Sequence, residues 1–435
     1  MTFSPRNGAA DAGAAILACT GEAFDRRLDR DSKAPIAVGF SGGGDSLALL
    51  LATRAWALAA GRPLLALTVD HGLNPQGAAW TAQAAARASE LGVEFQALTW
   101  EGEKPRAGVQ AAARRARHAL LADAARQAGA SVLLLGHTLD DVLEAGWMRA
   151  QGSSVGAPRE WSPSPAWPEG RGVFLLRPLI GLRRAALREL LAPSGLDWIE
   201  DPANQDARFL RTHARRSAPE AGTPALATPE PFGGARVDAA GAVRLDRGDL
   251  LALEPVAARR LLAMACVCAG GGDRLPRTPG LDRLLGRMGA EGDFAATLAG
   301  AKIEVGEGLL IARDTGRAPA AAEPLRPGMP MIWDGRFEIV AHRPGLEVRP
   351  LDGLMSRLGS KSRAALAGFD PASRRALPAV TDPDGTVTCP ILAQDAWSSA
   401  WGLVEGRLRA ACGQIAREPP ADPGSRGERG SGALS

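Results

Sequence analysis

Six consecutive residues, Ser41, Gly42, Gly43, Gly44, Asp45 and Ser46, stand directly after the apolar run Ile36 to Phe40 and directly before a helical stretch. Glycines let the backbone turn tightly and bring N–H groups close to a ligand, the two serines offer hydroxyls, and a helix start adds its positive dipole end. That combination is a cradle for pyrophosphate. It is not a Walker loop, because no Gly-Lys dipeptide occurs in the chain. It is not a dinucleotide fingerprint either, because Leu47 stands where the third glycine would fall. A second constellation runs from Arg208 to Arg216, where Arg208, Arg211, Arg215 and Arg216 accompany His213 without any acid. Arginines at helical spacing make a phosphate stripe for RNA, and the bland alternative is a solvated helix end. With Tyr absent, base stacking falls to Trp, Phe, His or Arg planes, with Trp147 and Phe209 as candidates.

The elements that position these residues alternate between short apolar runs and long amphipathic stretches from Pro35 to Asp201, which argues for a parallel sheet wrapped by helices. Strands are expected at Ile36 to Phe40, Leu64 to Asp70, Val93 to Trp100, Val132 to Gly136 and Phe174 to Arg177. Helices are expected at Asp45 to Ala60, Ala78 to Leu91, Val109 to Gly129, Asp140 to Ala150 and Arg183 to Leu191. In such α/β sheets, ligands gather at the carboxyl ends of the strands. The Pro- and Ala-rich stretch 217–235 reads as a linker. Beyond it, Leu250 to Gly270 and Pro279 to Met288 read as helices, and Ala296 to Arg313 and Met331 to Ala341 as short strands. The polar, Pro/Gly-rich end reads as disordered.

The 435 residues, 46% hydrophobic and 23% charged, exclude a wholly disordered, collagenous or coiled-coil chain and allow two or three domains. A net charge of +3 confines any nucleic-acid contact to local patches. Only four of the 51 cations are lysines, which we read as the arginine bias of a GC-rich genome. Five scattered cysteines, Cys19, Cys266, Cys268, Cys389 and Cys412, form neither a disulfide framework nor a CxxC pair and read as reduced thiols. No apolar run approaches the roughly 20 residues of a membrane span, so a cytoplasmic location with no membrane contact is expected.

The loop SGGGDS resembles the SGGxDS loop of the PP-loop ATP pyrophosphatases, and later segments narrow the likeness to the tRNA(Ile)-lysidine synthases. Val69, Asp70, His71, Gly72 and Leu73 are similar to that family's VDHGL element. Leu135, Gly136, His137, Asp140, Asp141 and Glu144, then Met148, Arg149, Gly152 and Ser153, resemble its LGHHxDDQxET…MRxxRGS element. Ala113, Arg114, Arg117 and Leu120 fit its AR..RY..L helix. Arg177, Pro178 and Leu179, then Trp198, Glu200, Asp201, Pro202 and Asn204, then Arg211 and Arg215, fit its RPL…WxEDPxN…RNxxR segment. A fainter likeness reaches Leu298 to Gly300 and Trp333 to Phe337. Departures include Thr138 for a second His, Val142 and Ala145 for Gln and Thr, His118 for Tyr, Thr212 for Asn, Gln110 for Glu and Asn74 for Arg. None of them removes an acid of the Asp140, Asp141 and Glu144 set.

The resemblance implies an enzyme that splits ATP into AMP and pyrophosphate, adenylates the C2 oxygen of the wobble cytidine in the CAU anticodon of tRNA(Ile), and lets free L-lysine attack that carbon to give lysidine. Loop residues Ser41 to Ser46, with Asp70, His71 and His137, are then the nucleotide-binding set. Asp45 and Asp141 are the expected Mg²⁺ ligands, since Mg²⁺ prefers carboxylate and phosphate oxygens; a helix N-terminal pair is the alternative for Asp140 and Asp141. Lysine's amine, with a reference pKa near 10.4, is neutral in only about one molecule in 2,500 at pH 7. Glu144, on one helical face with Asp140 and Asp141, is the group to hold that ammonium, and His137 the base or phosphate contact. Arg114 and Arg117, three apart, form a phosphate clamp. The catalytic set is thus Asp45, Arg114, Arg117, His137, Asp141 and Glu144, and the tRNA set Arg208, Arg211 and Arg215.

The expected fold is an α/β parallel-sheet PP-loop domain, followed by a helical domain and a small mixed or β-rich domain. The expected boundaries are residues 1–216 for catalysis, 217–235 for the linker, 236–325 for a helical tRNA-binding domain, 326–417 for a C-terminal domain and 418–435 for a disordered tail. A homodimer is the assembly to test, which the sequence does not fix. Rival readings are another PP-loop tRNA-modifying or amidating enzyme, or a non-catalytic tRNA-binding protein.

Overall fold

The computed structural model describes residues 5–152, 158, 160, 170, 172–200, 234–316, 319–393 and 395–419, with the backbone alone for residues 5–12. These residues fall into two compact units, the first reaching to Glu160, resuming over 172–200 and closing with 415–419, and the second spanning 234–414.

In the first unit, β1 (Ile36–Gly39), β2 (Leu64–Asp70), β3 (Glu94–Thr99), β4 (Val132–Leu135) and β5 (Phe174–Leu176) form one sheet in the order β3-β2-β1-β4-β5. All four pairings are parallel, with Ile36 beside both Leu64 and Val132. The helices are α1 (Pro5–Arg27), α2 (Gly44–Ala60), α3 (Gly77–Glu90), α4 (Val109–Gln127), α5 (Leu139–Ala150) and α6 (Arg184–Leu191). Each expected strand and helix forms within two residues of the expected ends, because uninterrupted apolar runs can be buried on both faces only inside such a sheet. Val38, Leu47, Leu49, Leu50, Leu134 and Leu176 are all fully buried in its core. Two elements went unforeseen. Helix α1 is Ala-rich, and among its described side chains Ile16, Thr20, Ala23 and Phe24 mark the buried side. The other is the return of the chain: Ile415 and Ala416 pack on this core, and Glu418 is buried with both oxygens on Arg62, at 2.7 and 2.8 Å. Glu418 had been expected to open a disordered tail; the guanidinium of Arg62 and the hydroxyl of Ser131, 2.5 Å from Oε1, fix it instead.

Strand order reverses between β1 and β4, so their following loops, 40–43 and 136–138, open side by side. That gap is where a sheet of this kind takes its ligand.

In the second unit the helices expected near 250–270 and 279–288 and the strands expected over Ala296 to Arg313 form, but the region 236–325 is a mixed sheet-and-helix layer rather than a helical domain, since Arg236–Val237 and Val243–Asp246 add two further strands. A five-stranded antiparallel sheet runs in the order Arg236–Val237, Val243–Asp246, Gly308–Arg313, Ala301–Val305 and Phe294–Leu298. Helices Pro255–Ala269 and Thr278–Ala290 pack on it, burying Cys266 and Cys268. A four-stranded and a three-stranded antiparallel sheet follow, the latter pairing Met331–Trp333 and Ser398–Gly402 with Phe337–Ala341. The two faint likenesses in this unit prove architectural. Ala299 and Asp334 take positive φ, and a side chain on Gly270 or Gly271 would lie 2.4 and 2.0 Å from their carbonyl oxygens.

Candidate active site

The loop after β1 is held from within and from behind. Ser46 Oγ donates to the Gly43 carbonyl at 2.8 Å and receives the Ser41 N–H at 3.2 Å, while the Thr68 hydroxyl donates to the Phe40 carbonyl. Gly42 turns at φ +77°, its carbonyl accepts the Ile199 N–H at 2.9 Å, and a Cβ there would lie 2.4 Å from the Ile199 side chain. A larger residue would push the brace off the loop. Gly43 and Gly44 leave their N–H groups at the first turn of α2, whose only acid is Asp45.

Beside it, Thr138 and Asp141 close a reciprocal cap on α5: Asp141 Oδ2 accepts the Thr138 N–H at 2.9 Å and its hydroxyl at 3.0 Å. This explains Thr138 in place of a second histidine, since a threonine there caps the helix. Asp140 turns the other way and accepts the Arg184 N–H at 2.8 Å, capping α6. Of the adjacent pair, then, Asp140 fills the structural role, and Asp141 combines a cap with a second oxygen facing the site.

The acids meet on one cation absent from the sequence expectation. Arg184, the first residue of α6, donates from Nε to Asp45 Oδ2 at 3.0 Å, from Nη2 to Asp141 Oδ1 at 3.0 Å and from Nη1 to Glu144 Oε1 at 2.6 Å. Glu144 and Asp141 are buried. The three acids hold Arg184 well above an ordinary arginine pKa in spite of its burial. Burial pushes the Asp45 carboxyl up, and Arg184 only partly opposes this. Asp45 Oδ1 is buried with no hydrogen-bond partner, an acceptor that suits a cation. Among the described residues no group of three or more His, Cys, Asp or Glu side chains is arranged to hold a metal by itself.

Behind the acids lies a cationic cluster. Arg177, at the end of β5, is buried, and desolvation together with the charges of Arg114 and Arg117 pulls its pKa down to about 9. It donates from Nε to His137 Nδ1 at 3.3 Å. Burial, then Arg177, hold His137 well below the usual histidine value, so the ring is neutral. With Nδ1 accepting, the proton sits on Nε2 and the ring offers a donor rather than a base. His118 and His71 are also lowered by burial and by Arg117. Asp70 bends the turn after β2, accepting the Gly72 N–H at 2.8 Å and packing against Gly77. His71 meets Trp100 edge-on at 6.3 Å.

The structure therefore brings Asp45, Asp141 and Glu144 together, sets His137 beside Arg177, and leaves Arg114 and Arg117 acting on the same histidines. Arg208, Arg211 and Arg215 lie outside the described residues.

A family model described as a PP-loop domain matches residues 20–220. The tRNA(Ile)-lysidine synthase of Caulobacter vibrioides is 49% identical over 407 residues, covering 91% of this chain and 97% of its own. That of Hyphomonas neptunium is 40% identical, over 67% of this chain and 83% of its own, and that of Rhizobium meliloti 34% identical, over 72% and 74%.

Proposed function

The chain belongs to the tRNA(Ile)-lysidine synthase family, and on that premise we propose how its own residues carry out the reaction. The enzyme is an ATP-dependent ligase acting on tRNA(Ile), with the PP-loop as its ATP site. The observation that carries the mechanism is the convergence at the β1–β4 gap of the SGGGDS loop, Asp45, Asp141 and Glu144.

ATP enters with its phosphates over the N–H groups of Gly42 to Gly44 and the hydroxyls of Ser41 and Ser46. Its adenosine end lies toward the turn carrying Asp70 and His71. Asp45, through its orphaned Oδ1, and Asp141 would hold Mg²⁺, which would supply charge neutralisation to the phosphates. His137 donates from Nε2 to the α-phosphate, and Arg177 fixes its tautomer. Arg114 and Arg117 supply positive charge for the phosphoryl oxygens as the cytidine carbonyl attacks the α-phosphorus and displaces pyrophosphate. Glu144 then takes the ammonium of free lysine, for which it must exchange Arg184, accepts one of its protons, and positions the resulting amine against C2, so that the new C–N bond forms as the C2–O bond to AMP breaks. The wobble cytidine of a CAU anticodon is the acceptor, Arg208, Arg211 and Arg215 hold the tRNA backbone, and the protein works in the cytoplasm, as a homodimer. We assign the second unit, 234–414, to tRNA contacts by analogy with its family.

Labelled lysine, ATP and a panel of tRNAs test this. Lysine must enter tRNA(Ile) bearing CAU and no other tRNA; release of AMP without lysine transfer would favour another PP-loop reaction, and neither event would leave only an RNA-binding role.

A further inference from the structure

Two polar atoms at the phosphate loop are buried without a partner, and they are opposite in kind. Asp45 Oδ1 is an acceptor, used above. The other is Arg188 Nη1, a donor.

Arg188 lies one turn beyond Arg184 on α6, so both side chains leave the same face of that helix. Arg184 ends in the acidic nest, whereas Arg188 reaches the loop itself. Its Nη1 occupies the place a side chain would take on Gly44, 1.5 Å from where a Cβ would stand, with Cζ at 2.7 Å and Nη2 at 3.2 Å. The guanidinium lies over the Trp198 ring, 4.4 Å from its centroid. Ile199, next in the chain, donates to Gly42, so platform and loop are tied together. Among the described residues the Arg188 guanidinium makes no hydrogen bond or ion pair.

The charge arrangement is unfavourable as it stands. A cation rests against the first residue of α2, at the positive end of a 17-residue helix whose N–H groups also point outward. The Asp45 carboxylate in that first turn acts on Arg188 but is already bonded to Arg184, and an anion between guanidinium and helix start offsets the remaining repulsion. The family loop pattern leaves the position of Gly44 open, so Gly44 is not explained by the loop alone; here it makes room for a guanidinium.

We propose that Arg188, stacked on Trp198, is a positioning arm for the β- and γ-phosphates of ATP and for the pyrophosphate they become. Its Nη1 donates to a phosphoryl oxygen from the side opposite the loop amides. Trp198 acts through Arg188, holding the fork flat. This rests on the ATP reading above and adds to it the group that receives the leaving pyrophosphate.

The test is calorimetric titration of the full chain with inorganic pyrophosphate plus Mg²⁺, and separately with AMP. Arg188→Met is expected to weaken pyrophosphate about 10–100-fold, as loss of a charge-assisted bond does, with AMP affinity unchanged. Arg188→Lys, which keeps the charge and loses the fork, falls between. Trp198→Leu is expected to cost about 3–10-fold on pyrophosphate alone. Retained AMP binding shows that each variant is folded. Pyrophosphate affinity equal in wild type and Arg188→Met overturns the proposal and leaves the ATP reading standing. A wild-type protein that binds neither ATP nor pyrophosphate overturns both.

Discussion

Replacing Arg184 by Met removes a cation bonded at once to Asp45, Asp141 and Glu144, whose side chains are only 24%, 9% and 2% exposed. The methionine keeps most of the stem's packing, so the change isolates charge. Breaking a buried ion pair from one side costs about 3–5 kcal/mol, and for a unit of this size about 6–20 °C in Tm. The pH dependence follows from burial. Asp45 already stands above the usual carboxylate range, and without Arg184 it rises further. An acid with a raised folded pKa binds its proton more tightly in the native state, so stability falls as pH climbs through the window between about 3.9 and the raised value. The deficit against wild type is therefore full at pH 8 and shrinks toward pH 4. Millimolar Mg²⁺ should restore part of it at pH 8, because the divalent ion replaces the lost charge. Differential scanning calorimetry at pH 5 and 8, with and without Mg²⁺, reads all three effects. A Tm loss independent of both pH and Mg²⁺ would refute the electrostatic account and leave only lost packing.

Asp45→Ala should abolish AMP formation while tRNA binding, measured by filter retention, survives; unchanged turnover would contradict the loop assignment. Glu418→Ala strands the buried Arg62 guanidinium and should lower stability by about 3–5 kcal/mol, seen as an earlier urea midpoint with native lysine incorporation below it. In the folded protein Ellman's reagent should find one fast thiol, Cys19, since Cys266, Cys268, Cys389 and Cys412 are buried and the first three are pushed up to about 12, 11 and 12; all five should react in guanidinium chloride. Removing Arg211 and Arg215 together should reduce the salt slope of tRNA binding by up to about 2, and an identical slope would argue against that stripe.

The acids and the loop were readable in the sequence because each sits where a buried apolar run ends, and such boundaries leave a pattern. Arg177 was legible as the start of the RPL element though not as a partner of His137, and Arg184 and Arg188 left far less. In a chain whose 51 basic residues include only four lysines, one more arginine on an amphipathic helix carries no contrast. What singles out Arg184 is three carboxylates converging from two other helices, and what singles out Arg188 is an absent side chain on Gly44; both are facts of distant packing. A weak signal did exist for Arg184, an Asp140 waiting to cap a helix. Glu418 was hidden for a different reason: its surroundings are rich in Pro and Gly, and a single buried ion pair outweighs that composition. The strands over Ala296 to Arg313 were legible, whereas Arg236–Val237 and Val243–Asp246 were not, because runs of two and four residues are too short to show alternation.

The place of Glu418 has a consequence for biosynthesis. About 190 residues of the second unit are translated between the sheet and the acid that neutralises Arg62. At roughly 5–20 residues per second the nascent sheet waits about 10–40 s on the ribosome with an uncompensated guanidinium in its interior. During that interval the emerging polypeptide offers chaperones a half-finished client, and the segment bearing Glu418 acts as its latch once it emerges.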